Sequence, residues 1–311
     1  MAAESLRVII AALLGNTLIA ITKFVAAFLT GSSAMLSEGI HSLVDTGNQI
    51  LMLHGLRQAR KPPDERFPFG HGKEIYFWSF VVAILIFALG GGISIYEGIQ
   101  HLRHPRHIEN PLINYGVLGL AILFEGSAWL FAFRTFRRSK GRWSYLEAVH
   151  RGKDPSLFVV LFEDSAALLG LLVALAGIGL SQGTGVLIFD GIASVLIGLI
   201  LVGTAIWLAW ETKGLLIGES ANRPVVEGIR AILESCPEIE HVNEVLTMHM
   251  GPDYILVNIS VDFRDDLPVG DIERTIADID DRIRQRFPRV KRIFIEAEAW
   301  RRQSAGPGQT A

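Results

Sequence analysis

The chain of 311 residues is 50% hydrophobic and 20% charged, with a formal net charge of −3 at pH 7. Soluble domains usually carry about 25% charged residues, and here the apolar residues concentrate in residues 6–211. The near-neutral charge argues against a nucleic-acid partner. The single cysteine, Cys236, excludes an internal disulfide and zinc motifs built from paired cysteines. Composition therefore predicts a membrane protein with a soluble C-terminal part.

Six apolar runs are long enough to cross a bilayer as helices of about 20 residues. They are predicted at Leu6–Leu29, Ser33–Leu56, Glu74–His101, Leu112–Phe133, Pro155–Leu180 and Val186–Trp210. The first run is long and has no small-residue cleavage site, so we interpret it as a retained helix rather than a signal peptide. Without a cleavable presequence, the expected location is a bacterial inner (plasma) membrane.

Positive charge is distributed unequally between the loops of these spans. Twelve Lys and Arg residues follow spans two and four, whereas only Arg103 and Arg106 follow span three. Short loops rich in Lys and Arg remain on the cytoplasmic side of a membrane. Both termini are therefore expected to face the cytoplasm.

After Lys213 the pattern becomes that of a small soluble domain. Amphipathic helices are predicted at Pro224–Ser235 and Val269–Phe287, and strands at Glu244–Met248, Tyr254–Phe263 and Lys291–Glu296. The expected fold is thus a six-helix α-helical membrane protein followed by an α+β cytoplasmic domain of order α-β-β-α-β. The expected domains are residues 1–211 and 212–300, with a disordered tail at 301–311.

Ionisable residues inside membrane spans are costly, so each suggests a function. Asn16, Asp45, Glu125 and Asp164 each lie nine to twelve residues from the cytoplasmic flank of a different span. At about 1.5 Å per residue this places them roughly 14–18 Å deep, near the middle of an apolar core of about 30 Å. Four helices are therefore expected to bring polar groups to one plane.

The strongest candidate ligands in that plane are His41, Asp45 and Asp164. His41 and Asp45 are four residues apart and share one helix face, and Asp164 comes from another helix. Such nitrogen and oxygen ligands suit zinc, and also manganese, iron or cobalt. The alternative is a polar cluster that only holds helices together. Lys23 and Asp190 lie nearer the outer ends, where pairing or snorkelling and a structural role are expected.

Several motifs carry a family resemblance. They are Gly31–Asp45 (GSSAMLSEGIHSLVD), Pro68–Glu74 (PFGHGKE) and Asp190–Ser194 (DGIAS). In this order they resemble the cation diffusion facilitator family of metal transporters. Arg151–Ser156 (RGKDPS), Leu161–Ala167 (LFEDSAA) and Glu125 followed by glycine are similar to its zinc transporter nine-like branch.

The resemblance implies a homodimeric exporter that exchanges a divalent metal, zinc foremost, for protons. By this resemblance His41, Asp45 and Asp164 are metal ligands. Val160 stands at the position where the family has a fourth ligand. The candidates to complete the shell are Glu163, Asn48, Glu125 or water.

Other positions also depart from the family pattern. Phe67 replaces the usual histidine of the loop motif, which leaves Asp64 and His71 as a partial secondary site. Asn243 and Glu296 stand where metal-binding histidines are common in the cytoplasmic domain. This domain is therefore expected to dimerise rather than to sense metal.

The predicted activity is secondary active transport and not enzymatic catalysis. Metal binding requires neutral imidazole and ionised carboxylates, so a bound cation displaces protons. A membrane hydrolase is a competing hypothesis, but the sequence contains no HExxH, GxSxG or GxxxxGK[ST] motif. The third hypothesis is a non-transporting scaffold or assembly subunit whose buried acids pair with Lys23.

Overall fold

The structure is a computed structural model that describes residues 2–105, 111–140, 143–153 and 155–299. The chain divides into two compact units, with the boundary between Leu216 and Ile217. The predicted tail at residues 301–311 lies outside the described residues, as does Arg106 in the third loop.

The first unit is built from long helices. They are α1 (Ala2–Thr30), α2 (Ser33–Ala59), α3 (Glu74–Leu85), a π-helical segment (Ile86–Gly92), α4 (Ile93–Arg103), α5 (Pro111–Ser139), the short α6 (Tyr145–Arg151), α7 (Pro155–Thr184) and α8 (Ile188–Ile217). Within the described residues, four helices are apolar and long enough to cross a membrane: Glu74–Arg103, Leu112–Arg138, Phe158–Thr184 and Ile188–Ile217. With α1 and α2 they account for the six predicted spans, and the predicted fold class is confirmed.

Large apolar side chains cover the outer surface of this unit. Phe28, Leu112 and Trp210 are 90%, 83% and 73% exposed. A soluble protein would bury such side chains, but in a membrane protein they face lipid, which is as apolar as they are. The protein is thus an integral, multi-pass membrane protein.

Glycines let two of the spans approach closely. A methyl group on Gly98 of α4 would lie 2.7 Å from the Val195 backbone nitrogen and 2.9 Å from the Gly191 carbonyl oxygen of α8. Gly91 faces Gly198 in the same way, 3.1 Å from its carbonyl oxygen. Small residues at regular spacing are typical of helix contacts in membranes, because packing rather than water exclusion holds such helices together.

Helix α6 was not predicted from the sequence. Ser144 Oγ accepts from the Glu147 N–H at 3.2 Å, and the Glu147 carboxylate accepts from the Ser144 N–H at 3.4 Å. This reciprocal pair is a capping box. The spacing Ser-x-x-Glu in the sequence indicates such a helix start. His150 of α6 then contacts Glu211 of α8 at 2.9 Å, between Nδ1 and Oε1.

The second unit has the predicted α-β-β-α-β order. Its elements are α9 (Arg223–Glu234), β1 (Ile239–Gly251), β2 (Tyr254–Phe263), α10 (Val269–Arg286) and β3 (Val290–Ala297). The sheet order is β1-β2-β3, with β1 antiparallel and β3 parallel to β2. Every second residue of β2 is buried from Ile255 to Phe263. These side chains form one core with Ile229 of α9 and Ile279 of α10.

Strand β1 is longer than the predicted Glu244–Met248. Register shifts lie between Ile239 and His241 and between Val242 and Glu244. A bulge inserts an extra residue and disturbs the alternation of buried and exposed side chains. The first half of β1 therefore shows no strand pattern in the sequence, although it pairs with β2.

Candidate functional site

Buried polar side chains from four helices lie inside the membrane unit. Helix α2 contributes four of them at helical spacing, so they share one face. In this region, those with an ionisable or amide side chain are Lys23 on α1, Glu38, His41, Asp45 and Asn48 on α2, Glu125 on α5 and Glu163 on α7. Of the four residues predicted to meet in one plane, Asp45 and Glu125 belong to this interior, whereas Asn16 and Asp164 are only partly buried.

Lys23 is the centre of one part of this interior. Its Nζ atom lies 3.0 Å from Glu38 Oε2, 2.9 Å from Glu125 Oε1 and 2.8 Å from Ser42 Oγ. We call these four residues the Lys23 cluster. The lysine therefore pairs with two acids inside the helical bundle. Pairing with Asp190, which the sequence had suggested, does not occur. Glu125, a candidate fourth ligand, belongs to this cluster.

His41 and Asp45 form a second part, next along α2. Their Nδ1 and Oδ1 atoms are 3.4 Å apart, and both side chains are buried. Among the described residues, neither imidazole nitrogen nor Asp45 Oδ1 has a hydrogen-bond partner. Buried polar atoms are nearly always paired in proteins, and unpaired ones suggest an ion or ligand. The chemistry of these atoms fits a divalent transition metal as substrate.

Helix α7 meets this pair through Glu163. Asn48 Nδ2 donates a hydrogen bond to Glu163 Oε1 at 2.7 Å. The carboxyl groups of Glu163 and Asp45 also lie within hydrogen-bonding range of each other. Asp164, the next residue, is turned by about 100° on the helix and is only partly buried. The sequence left open whether Glu163 reaches the site, and the structure places it against α2.

The predicted ligands are only partly assembled in this structure. His41 and Asp45 are neighbours, but within the ranges that the structure describes no three His, Cys, Asp or Glu side chains converge to hold a metal ion. Asp164 is thus not brought to His41 and Asp45. The assignment of these three residues as ligands remains a prediction.

The predicted loop site is a hydrogen-bonded pair. Asp64 Oδ2 lies 2.9 Å from His71 Nε2, and Asp64 Oδ1 accepts from the Phe67 N–H at 2.7 Å. These bonds lower the pKa of the Asp64 carboxyl below its ordinary value, with the bond to His71 as the largest cause. The turn is completed by Gly70, whose φ of 82° favours glycine. Asp64 and His71 therefore fix the shape of this loop.

A further polar cluster, at the outer end of α2, was missed in the sequence. The Asp190 carboxylate of α8 accepts from Ser32 Oγ and from the Ser33 N–H, both at 2.7 Å. It is fully buried, and His101 Nε2 of α4 lies 3.7 Å from its Oδ2 atom. Asp190 therefore caps the N-terminus of α2, whose free N–H groups favour an anion. The serines before α2 predict a helix start, but no local pattern reveals a cap that is 157 residues away.

In the cytoplasmic unit, Asn243 stands where family members often have a metal-binding histidine, and here it has a structural role. Asn243 Nδ2 donates to Ser260 Oγ at 3.1 Å and to the Glu298 carbonyl at 2.8 Å. These bonds join β1 to β2 and to the residues that follow β3. Asn243 therefore contributes to strand pairing in this unit.

Comparison with known proteins agrees with this architecture. Residues 9–217 match the cation efflux transmembrane domain, and residues 222–300 match the cation efflux protein cytoplasmic domain. The chain is 36% identical over 260 residues to the mitochondrial proton-coupled zinc antiporter SLC30A9 of Xenopus laevis, and 34% identical to its human counterpart. Each alignment covers 83% of this chain and 46% of the relative, so the chain spans about half the length of these relatives.

A bacterial relative matches along nearly its whole length. The manganese efflux system protein MneP of Bacillus subtilis is 23% identical over 298 residues, which cover 95% of this chain and 96% of that protein. The family matches together cover both units of the structure, and their order is that of the fold described above. The chain belongs to the cation efflux family, the cation diffusion facilitators.

Proposed function

We propose that the protein exports a divalent transition metal, zinc foremost, from the cytoplasm in exchange for protons. The observation that carries this proposal is the buried His41–Asp45 pair, which has three unpaired polar atoms among the described residues, with Asp45 next to Glu163 inside a helical membrane unit. Relatives named as zinc antiporters and as a manganese efflux protein support metal transport and make manganese an alternative substrate. Iron and cobalt are further alternatives because nitrogen and oxygen ligands also suit them. The family is a transport family and not an enzyme class.

Glu163 is the preferred fourth ligand beside His41, Asp45 and Asp164. Its carboxyl group is already next to Asp45, whereas Glu125 is held by Lys23. Asn48 is bonded to Glu163, where it orients that carboxylate. Ligand-orienting partners of this kind are common around metals and tune their affinity.

The contact between Asp45 and Glu163 provides a basis for proton exchange. Two adjacent carboxylates in a buried site do not both stay ionised without a cation, because like charges repel strongly where water is excluded. The site therefore holds either a proton or a metal ion. When it opens to the cytoplasm it loses protons to bind metal, and when it opens to the outer side protons displace the metal.

A scaffold subunit is the second candidate, and the Lys23 cluster supports it. Lys23 satisfies one oxygen each of Glu38 and Glu125, as expected if buried acids serve only to join helices. This hypothesis does not account for His41, which is 1% exposed and has both nitrogens unpaired among the described residues. Transport accounts for both observations.

We further propose a homodimer formed through the cytoplasmic domain, in a bacterial inner membrane with both termini in the cytoplasm. The match of residues 222–300 to the family's cytoplasmic domain supports a cytoplasmic location for this domain. The basic loops after spans two and four support the cytoplasmic orientation of both termini. Membrane fractionation of the source cells tests the location.

The test is metal uptake into proteoliposomes under an imposed pH gradient, with Zn²⁺, Mn²⁺, Fe²⁺ and Co²⁺ compared. We expect proton-dependent flux of one metal, abolished by Asp45→Asn without unfolding, because the substitution removes a charged ligand. Asp265→Asn is the matched control, since Asp265 is exposed in the cytoplasmic domain. Normal flux in Asp45→Asn would refute the site. No flux of any metal through folded, correctly oriented protein would favour the scaffold.

A further inference from the structure

The cluster at the outer end of α2 has a histidine that the capping interactions do not use. His101 is 7% exposed, and its Nε2 atom has no hydrogen-bond partner among the described residues. It lies 3.7 Å from Asp190 Oδ2, beyond hydrogen-bond length. That same oxygen accepts from the Ser33 N–H at 2.7 Å and faces the Ala34 N–H at 3.4 Å. One carboxylate oxygen thus lies between the start of α2 and a titratable ring.

The charges around His101 are few. Helix α8 contributes Asp190, and α2 has no acidic side chain in its first turn. On α4 itself, Glu97 lies one turn before His101, while Arg103 and His104 follow it and are exposed. Asp190 is therefore the charged group nearest to the free nitrogen in the described part of the chain.

We infer that His101 is a positioning residue for transport, whose protonation from the outer side draws the Asp190 carboxylate away from the N-terminus of α2. This inference rests on the proposed function. A protonated imidazole donates a charge-assisted hydrogen bond of about 2.7–2.9 Å, so the present gap closes by roughly 1 Å. The buried carboxylate moves because a cationic partner stabilises it more than neutral N–H donors do.

The consequence reaches the metal ligands through α2. Ser33 starts this helix, and His41 lies eight residues further, about 12 Å along the helix axis. When its cap is weakened, the outer end of α2 separates more easily from α8. Outer acid thereby favours opening of the site to the side on which metal is released.

The first test is independent of transport. Hydrogen exchange of the full-length protein in nanodiscs, followed by mass spectrometry on the peptide that contains Ser33 and Ala34, is compared at pH 7.5 and 5.5 after correction for intrinsic rates. We expect acid to lower protection about tenfold in the wild type, as for loss of a helix cap. We expect no change with pH in His101→Gln. His104→Gln is the matched control and should behave as the wild type.

Asp190→Asn provides a second route if His101→Gln does not fold. It keeps a capping oxygen but removes the charge that attracts a protonated imidazole, so protection should again be independent of pH. Equal acid sensitivity in the wild type and both variants would overturn the inference, and so would a wild type without acid sensitivity.

The second test is metal uptake at fixed cytoplasmic-side pH while the outer pH is lowered. All variants then experience the same proton gradient, and we expect the acid stimulation to be at least about threefold smaller in His101→Gln than in His104→Gln. Equal stimulation of the two variants would overturn the positioning role. If exchange responds to His101 as expected but no variant moves metal, the proposed function fails while the coupling of His101 to α2 stands.

Discussion

At the scale of single residues, Lys23 shows how a membrane interior accommodates charge. The ammonium group is fully buried, and it contacts one carboxylate on α2 and another on α5. A charge without a partner at this depth would be costly, and each member of the cluster depends on the others. The Lys23 cluster therefore joins α1 and α5 to α2, next to the His41–Asp45 pair.

Replacement of Lys23 by methionine should strongly destabilise the protein. Glu38 and Glu125 would lose their cation, and breaking a buried ion pair typically costs about 3–5 kcal/mol. Thermal unfolding in detergent measures the effect, and Lys61→Met at an exposed loop position is the control. Adding Glu38→Gln and Glu125→Gln should restore part of the loss. If Lys23→Met unfolded at the same temperature as the wild type, the cluster would contribute nothing to stability.

The loop pair predicts a defined pH response at Asp64. Its carboxyl pKa is lowered in the folded protein, so the interaction with His71 is present above the ordinary value of about 3.9 and is lost as pH falls through the lower, folded value. His71→Ala should raise the pKa of Asp64 toward that ordinary value. NMR titration of the Asp64 carboxyl carbon in the wild type and in His71→Ala measures the change. An unchanged Asp64 titration would contradict this account of the loop.

At the scale of elements, contacts between helices depend on residues without side chains. Gly98 and Gly191 place the backbones of α4 and α8 against each other, and Gly91 and Gly198 repeat this contact seven residues away. On α7, Gly170 leaves space for the Glu38 carboxylate. Because backbone cannot move aside as a side chain can, these positions determine the relative placement of whole helices.

Gly98→Ala should therefore weaken the packing of α4 on α8. The added methyl group would meet backbone atoms of Val195 and Gly191, and overpacking of this kind typically costs about 1–3 kcal/mol. Gly116→Ala in α5 is the matched control, because no atom lies within 4 Å of its added methyl group. A lower unfolding temperature is expected only for Gly98→Ala. Equal unfolding temperatures for Gly98→Ala and Gly116→Ala would indicate that α4 and α8 move apart at little energetic cost.

At the scale of the whole molecule, the chain is made of two units with separate cores. The membrane unit packs helix on helix, whereas the second unit packs α9 and α10 on a three-stranded sheet. Each unit also matches its own domain of the cation efflux family. The cytoplasmic unit therefore has what it needs to fold independently.

A fragment of residues 212–300 should fold and form dimers in solution. Its own core, centred on Val257, Ile259 and Ile279, is complete without the membrane helices. Circular dichroism should show mixed helix and strand, and sedimentation equilibrium should give twice the monomer mass. Val257→Asp is the control for folding, since a carboxylate in this core should unfold it. A folded fragment that stays monomeric at high concentration would contradict dimerisation through this domain.

Much of the architecture is determined by the sequence alone. The spans and the α-β-β-α-β order follow from hydrophobic runs and periodicity, which are local properties of the chain. The motifs around His41, Asp45 and Asp190 indicate the family for the same reason. The capping box before α6 was equally available in the sequence.

Only the tertiary structure decides which polar groups meet. Lys23 pairs with Glu38 and Glu125, Glu163 rather than Asp164 contacts Asp45, and Asp190 caps α2. Each of these contacts depends on how helices are rotated and how closely they pack. A rotation of about 100° exchanges one residue for the next, and hydropathy does not specify the rotation of a helix that is apolar on every side. The sequence thus determines which residues enter the membrane, and packing determines their partners.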